Sequence, residues 1–480
     1  MSFEAWSLPT GVAQPDAVSA VGVGGGVAGG VAGVGGTAVP TVDVLRLDVT
    51  PEWLAELTAH LRSARSKLLH RTAADLADTL GRAAERFLDP GDPLRAEALE
   101  FLPGTSGLSP EMSAAVLDGM SADWTRKHLM ALLTVEFGAP SRLDDFTQGA
   151  RGGVRAFGAS LTTQIVAGSV PGVGATALLR SLLVKSPTLL KPGLGDVVLP
   201  VLLARAIRQE DPDLADALAV VYWPGDAEDL TASAVGAAGT VVVYGGDEAV
   251  ASVRNRTPVT AQFMGYHHRV SVGLVGRGGL SDALVRETAS EVAGAVAFFD
   301  QRGCVSPQMI YVEEGGDCDP AAFAAQVGEA LASIEDHLPG GVLGTEEASS
   351  LQQTRGTAEV LEASGSGVTV RHGGAASWTV VFDPRGQLAM TCVGRTVHIV
   401  PVHRAEEVAQ RLELLSAHLQ TVALTGCGDR VAGLARDLAE VGVTRITYFD
   451  RAPFPPPWWH HDGQGPLQAL VRWVDLDADA

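Results

Sequence analysis

The sequence predicts an α/β fold made of two units, and two observations carry that prediction. From about Leu161 onward, short apolar runs of buried-strand type alternate with longer segments of helical periodicity, the order expected of a parallel sheet covered by helices. The chain has 480 residues, too many for one simple core, and its 46% hydrophobic and 19% charged content fits well-filled globular interiors.

The elements follow in order. Residues 19–41, SAVGVGGGVAGGVAGVGGTAVPT, are low-complexity and Gly-rich, so residues 1–44 read as a flexible N-terminal segment with no fixed conformation. Thr50-Pro51 reads as a helix start, with a capping hydroxyl followed by proline at the first helical position. Trp53, Leu54, Leu57, Leu61, Leu68 and Leu69 then recur at helical spacing, and helical patterns continue to about Phe87 and from Pro110 to Phe137. LTTQIVAG, LAVVYW and TVVVY read as strands; ALLRSLLV, VVLPVLLARAIRQ and DAEDLTASAVGA read as helices between them. These make a first unit over residues 45–268.

A second unit over residues 269–445 opens with the strand RVSVGLV. A long helix in SDALVRETASEVAGAVAFF follows, capped by Ser281, then the strand QMIYVEE and the helix PAAFAAQVGEALASIEDHL. Strands follow at VTVRH, WTVVF, TVHIVPV, TVALT and TRITYF. Residues 446–480 hold PFPPPWWHHDG, whose four prolines limit regular structure; this segment is expected to close a site or an oligomer interface.

The net charge of −21 argues against a nucleic-acid binder, which needs surplus Lys and Arg to neutralise phosphates, and against docking to an anionic membrane. Four scattered cysteines, Cys304, Cys318, Cys392 and Cys427, form no CxxC pair and no zinc-ligand spacing. They point to a reducing compartment. MSFEAW lacks the basic and apolar regions of a signal peptide, and no uninterrupted apolar run is long enough for a membrane span. The expectation is a cytoplasmic protein that holds no metal.

Cys304, in FFDQRGCVSPQMIYV, sits where a helix ends, Gly303 turns the chain and a strand begins. Such a thiol can project into a cleft as a nucleophile, although free cysteines are also commonly buried and inert. Gly168, Gly172 and Gly174 follow a strand and open a helix, and Lys185 ends the next apolar run. Together they could approach a phosphorylated ligand, or be a glycine turn beside a solvated lysine. Gly245-Gly246 lies between a strand and a helix start, where backbone N–H groups favour phosphate while Asp247 and Glu248 oppose it. His267 and His268 are candidate proton carriers, with His267 the more structural of the two. The pair His460-His461 suggests a metal only weakly, since no third ligand has suitable spacing.

DQRGCVSPQ resembles the nucleophile segment of the acyl-CoA reductase family of bacterial bioluminescence, within the aldehyde dehydrogenase superfamily. LPGTSGLSPEM, GSVPG, LLVKSPTLLKPG, VVYWPGDAEDL, VVVYGGDEAV, GYHHRVSVG and WWHHDG…LVRWVD resemble family segments in family order, over about residues 95–475. The resemblance implies an aldehyde dehydrogenase-like fold: a Rossmann-type nicotinamide domain at 45–268 and a catalytic domain at 269–445. It implies reduction of an acyl thioester, such as a fatty acyl-CoA, to the aldehyde through an acyl-cysteine. NADPH is the implied cofactor, with NADH as the alternative, and a homodimer or homotetramer is implied.

By the same resemblance Cys304 is the acyl-accepting cysteine and His268 a proton donor. Lys185, with Ser186, holds the adenosine ribose or its phosphate. Gly168 and Pro171 belong to the loop beside the cofactor, and Gly245, Gly246 and Val250 to the pyrophosphate turn. Two positions depart from the family: Ser169 stands where an asparagine helps stabilise the oxyanion, and His267 where glycine is common. Hydrolytic superfamily members carry a water-activating Glu about 34 residues before the cysteine. Here that count falls on Val270, with no Glu near it, which favours thioester reduction over acid formation. Two alternatives stand beside this reading: release of an acyl or polyketide chain from a carrier protein, and a partner-dependent subunit of a reductase complex.

Overall fold

The computed structural model describes residues 1–24, 40–149, 152–374, 377–387 and 394–477. Two open sheets dominate it. The first has the order Gln262–Tyr266, Thr240–Tyr244, Thr162–Ile165, Thr188–Lys191, Leu218–Val221, Trp6–Ser7. The first five strands run parallel and Trp6–Ser7 pairs antiparallel at the edge. The chain steps outward one way from Thr162–Ile165, then returns to place Thr240–Tyr244 on that strand's other side. This reversal creates a crevice at the carboxyl ends of the strands, where open α/β sheets bind ligands.

Thr188–Lys191 and Leu218–Val221 are buried at every position because helices cover both faces. Helices Val173–Leu183 and Val198–Glu210 pack on one face. On the other, helix Pro51–Leu69 presents Leu54, Leu57 and Leu61 to Leu189, Ala219 and Val221. That helix starts as the sequence predicts: the Thr50 hydroxyl accepts the Trp53 N–H at 3.2 Å, with Pro51 in the first turn.

The second sheet has the order Thr369–His372, Thr379–Phe382, Thr396–Val402, Pro307–Glu313, Val270–Val275, Leu419–Thr425, Arg445–Thr447. All are parallel except Thr369–His372, and the chain crosses from one sheet to the other over residues 267–269. The helix predicted to start at Ser281 starts later, at Val285, because the Ser281 hydroxyl donates back to the Gly278 carbonyl and caps nothing.

The N-terminal segment is built into the fold. Val18–Val23 pairs antiparallel with Val42–Leu47, which pairs parallel with Ser2–Glu4, and Phe3, Val42 and Val44 join the core. The expectation of a segment without fixed conformation therefore fails for residues 18–23, whose apolar neighbours give them a partner; residues 25–39 lie outside the described residues. At the other end, Val471–Leu476 returns to pair antiparallel with Gly153–Gly158. Among the described residues, no helix is long and apolar enough to cross a membrane.

Candidate active site

Helix Val285–Ala297 ends in a turn over Phe298–Gln301, and Cys304 follows it. Three consecutive non-glycine residues there, Phe299, Asp300 and Gln301, have φ of 58°, 48° and 65°. Left-handed backbone of this kind persists only where its surroundings over-determine it. Asp300 accepts from Arg395 and from the Gly341 N–H, both at 2.9 Å. Gln301 donates to the Pro307 and Thr396 carbonyls and accepts the Thr396 N–H at 2.7 Å. The Ser271 hydroxyl donates to the Cys304 carbonyl at 2.6 Å. The cysteine is thus fixed to the second sheet from both sides.

Its thiol opens into a cavity of about 150 Å³ between the two units. The walls are mostly apolar, with Met120, Leu129, Leu132, Val170, Phe299 and Phe454 among them; Asp123 and Arg180 are charged exceptions. Cys304 keeps an exposed face toward the cavity, while the protein packed around the sulfur pushes the thiol up to about 11 by desolvation. A hydrogen bond with Gln420 and the charge of Arg445 pull it down, while the Asp462 carboxylate raises it further.

The imidazole that faces the thiol is His461, its Nε2 3.9 Å from Cys304 Sγ. Its ring is stacked between Tyr266, at 4.5 Å, and Trp459, at 4.7 Å. Burial holds it down at about 4, so the ring is neutral at physiological pH. The next residue, Asp462, has φ of 52° and a fully buried carboxylate. It meets Arg269 Nε at 2.9 Å, accepts from Gln420 at 2.8 Å, and lies 3.9 Å from His461 Nε2. The Pro- and Trp-rich tail therefore closes over the cysteine. By spacing His460-His461 is only a weak metal motif, and the sequence signal for His461 is the WWHHDG segment in family order.

The structure places the other expected residues as follows. His268 is exposed, and its N–H donates to Asp247 at 3.1 Å; it is not among the described residues that wall the cavity. Ser169 is also exposed, while its neighbour Val170 reaches the cavity. Lys185 and Ser186 precede strand Thr188–Lys191 and so lie at its amino end, opposite the crevice. Lys185 is 2% exposed and pairs with Asp144 at 2.6 Å, and the Ser186 hydroxyl bonds Thr162 at 2.7 Å. The lysine at the carboxyl end is Lys191. It is buried over the Tyr222 ring, burial pushes it down to about 8, and among the described residues no carboxylate lies within ion-pair distance.

Gly168 does line the crevice, but against protein: a Cβ there would sit 2.7 Å from the Gly195 nitrogen. Pro171 is buried just ahead of helix Val173–Leu183. That helix's first N–H groups are already taken, since Asp196 accepts from Gly172 and Gly174 at 2.7 and 2.6 Å. Gly245 and Gly246 join strand Thr240–Tyr244 to helix Asp247–Arg256, and a Cβ on Gly246 would meet nothing within 4 Å. Val250, half-buried, packs this helix on Gly265. Cys392 lies outside the described residues; Cys318 and Cys427 stand apart from the cavity walls.

The chain matches the acyl-CoA reductase (LuxC) family over residues 71–473. It is 27% identical over 376 residues to the long-chain acyl-protein thioester reductase of Photobacterium phosphoreum, covering 77% of this chain and 73% of that one. Among solved structures it superposes on an NAD-dependent aldehyde dehydrogenase from Sinorhizobium meliloti with TM-score 0.76 at 11% identity, covering 99% and 94% of the two chains. A methylmalonate-semialdehyde dehydrogenase from Sinorhizobium meliloti 1021, complexed with NAD, gives TM-score 0.71 at 14% identity, over 94% and 96%. The chain belongs to the acyl-CoA reductase (LuxC) family, an acyl-thioester-reducing oxidoreductase on the aldehyde dehydrogenase fold.

Proposed function

We propose that this enzyme reduces a fatty acyl thioester to the aldehyde with NADPH, through an acyl group carried on Cys304. The observation that carries the reading is the Cys304 thiol at the end of an apolar cavity, facing the neutral imidazole of His461 at 3.9 Å. In the first step His461 Nε2 takes the thiol proton as the sulfur attacks the thioester carbonyl. A C–S bond to Cys304 forms, the C–S bond to the carrier breaks, and the departing thiolate takes the proton from His461. When bound, reduced nicotinamide would supply a hydride to the acyl carbon, leaving the alkoxide of a thiohemiacetal on Cys304. Collapse of the alkoxide breaks the Cys304 C–S bond and releases aldehyde, and the Cys304 thiolate takes a proton from solvent by way of His461. The overall change is thioester, reduced cofactor and one proton to aldehyde, free thiol and oxidised cofactor.

The residues at the crevice fit a dinucleotide. The open Gly245-Gly246 turn offers N–H groups at a helix start, and the NAD-bound relative supports a nicotinamide ligand. Lys191, a buried amine at the carboxyl edge, suits a ribose 2′-phosphate, which favours NADPH over NADH. Lys191 takes the role that the sequence resemblance gave to Lys185.

A second donor, an acyl group held on a protein thiol, is favoured by the name of the Photobacterium phosphoreum relative, an acyl-protein thioester reductase. The test is loss of nicotinamide absorbance with purified protein, NADPH and matched acyl-CoA and carrier-bound substrates, with aldehyde trapped as product. Acyl-dependent oxidation on the CoA esters supports the first donor; oxidation on the carrier-bound set alone supports the second. Oxidation on neither sinks the proposal.

A further inference from the structure

We infer that Asp247, His267 and His418 form a divalent transition-metal site at the crossing between the two units. The three residues come from three places: the first turn of helix Asp247–Arg256, the crossing itself, and the turn before strand Leu419–Thr425. One ligand atom from each lies within 4.8 Å of the others. A tetrahedral ion with bonds of about 2.1 Å needs ligand atoms about 3.4 Å apart, so side-chain rotation of about an ångström closes the site. All three side chains are exposed or half-buried.

The hydrogen bonds around the two imidazoles are the second argument. His267 Nδ1 lies 3.1 Å and His418 Nδ1 3.2 Å from one acceptor, the His268 carbonyl oxygen. The two Nδ1 nitrogens thus converge, and the Asp247 carboxylate stands beside them, a mixed nitrogen and oxygen donor set of the kind that zinc takes. The two rings stand edge to face with centroids 5.5 Å apart, and Asp247 Oδ1 is 3.6 Å from His267 Nδ1. Two imidazoles and one carboxylate suit zinc or cobalt better than magnesium or calcium, which prefer oxygen ligands. A net charge of −21 also favours cation capture.

An ion here would tie the first sheet's helix to the second sheet at the crossing. It would also engage Asp247, one of two acidic residues in the first turn after Gly245-Gly246, and lessen their repulsion of an incoming phosphate. The site stands independently of the reaction at Cys304.

The test is a cobalt(II) titration of the full chain carrying Cys304→Ser, which removes the exposed thiol beside His461. The expected result is one cobalt per chain with visible bands and no thiolate charge-transfer band. His267→Ala and His418→Ala should each weaken binding about tenfold or more. Cobalt should also raise the thermal midpoint of the parent but not of either variant. No stoichiometric binding, or binding unchanged in both variants, would overturn the inference.

Discussion

Replacing His461 by Phe separates its chemistry from its packing. Phenylalanine keeps a ring between Tyr266 and Trp459 and removes the nitrogen that faces Cys304. With the thiol at about 11, only about one molecule in 10⁴ carries a thiolate at pH 7. A neighbouring base recovers part of that factor by taking the proton as the sulfur attacks. Part of the loss returns, because a less acidic thiol gives a better nucleophile. With a Brønsted slope of about 0.4–0.5, the shift from a free thiol near 8.5 offsets about tenfold. The net expectation is a fall of up to about 10³ in acylation rate, about 4 kcal/mol, within the range for general acid–base catalysis.

The assay is the rate of acyl-adduct formation on Cys304, followed by mass spectrometry with an acyl-CoA and no cofactor. In the Phe variant the rate should climb about tenfold per pH unit toward pH 10, tracking thiolate; in the parent it should be flatter. The thermal midpoint should barely move, since the ring stack survives. Acylation within threefold of the parent, or an unchanged pH slope, would refute a proton-carrying role for His461.

Other perturbations test separate parts of the structure. Cys304→Ala should abolish turnover and acyl adducts while binding of NADPH, read by fluorescence titration, persists. Lys191→Ala should raise the KM for NADPH about tenfold or more with little change in thermal midpoint, whereas Lys185→Ala should cost about 2–3 kcal/mol in urea unfolding. The latter sits below the range for a fully buried pair because Asp144 keeps some solvent contact. Glu313 is a case where burial alone would raise the carboxyl, but the Arg430 guanidinium, with the Arg277 and Ala405 N–H groups, holds it at about 2. Its stabilisation is therefore present above about pH 4.5 and lost as pH falls toward 2. Arg430→Met should flatten that acid limb, removing about 2 kcal/mol once the exposure of Arg430 is allowed for; an unchanged limb in pH-dependent unfolding would count against it.

The strands were legible because parallel strands buried on both faces are continuous apolar runs, as in TVVVY and LAVVYW. Thr50-Pro51 was legible because capping is local. Ser281 misled because a serine before a helical pattern can satisfy a carbonyl behind it instead. The two lysines show a sharper limit. Lys185 and Lys191 flank one apolar run, and local pattern cannot say which end of the strand meets the ligand. Direction and topology decide that, and they put Lys191 in the crevice. His461 is 157 residues from Cys304, so no spacing rule could pair them; only the folding of the tail across both sheets does.

The same geometry bears on why an acyl-enzyme here should pass to aldehyde rather than acid. Counting back from the cysteine led to Val270, which lies fully buried in a core strand and faces no chemistry. Hydrolysis needs a base that can draw a proton from water beside the acyl carbon. Of the carboxylates near the thiol, Asp462 is fully buried and held by Arg269 and Gln420. Asp123, across the cavity, is pushed up to about 6 by burial. The Tyr266 phenol is pushed upward by burial and is no base at neutral pH. Among the described residues His461 is then the group left to move protons at Cys304, and its faces are covered by Tyr266 and Trp459. A base so enclosed can serve the thiol and a departing thiolate while offering water little room, which leaves hydride transfer as the productive exit for the acyl group.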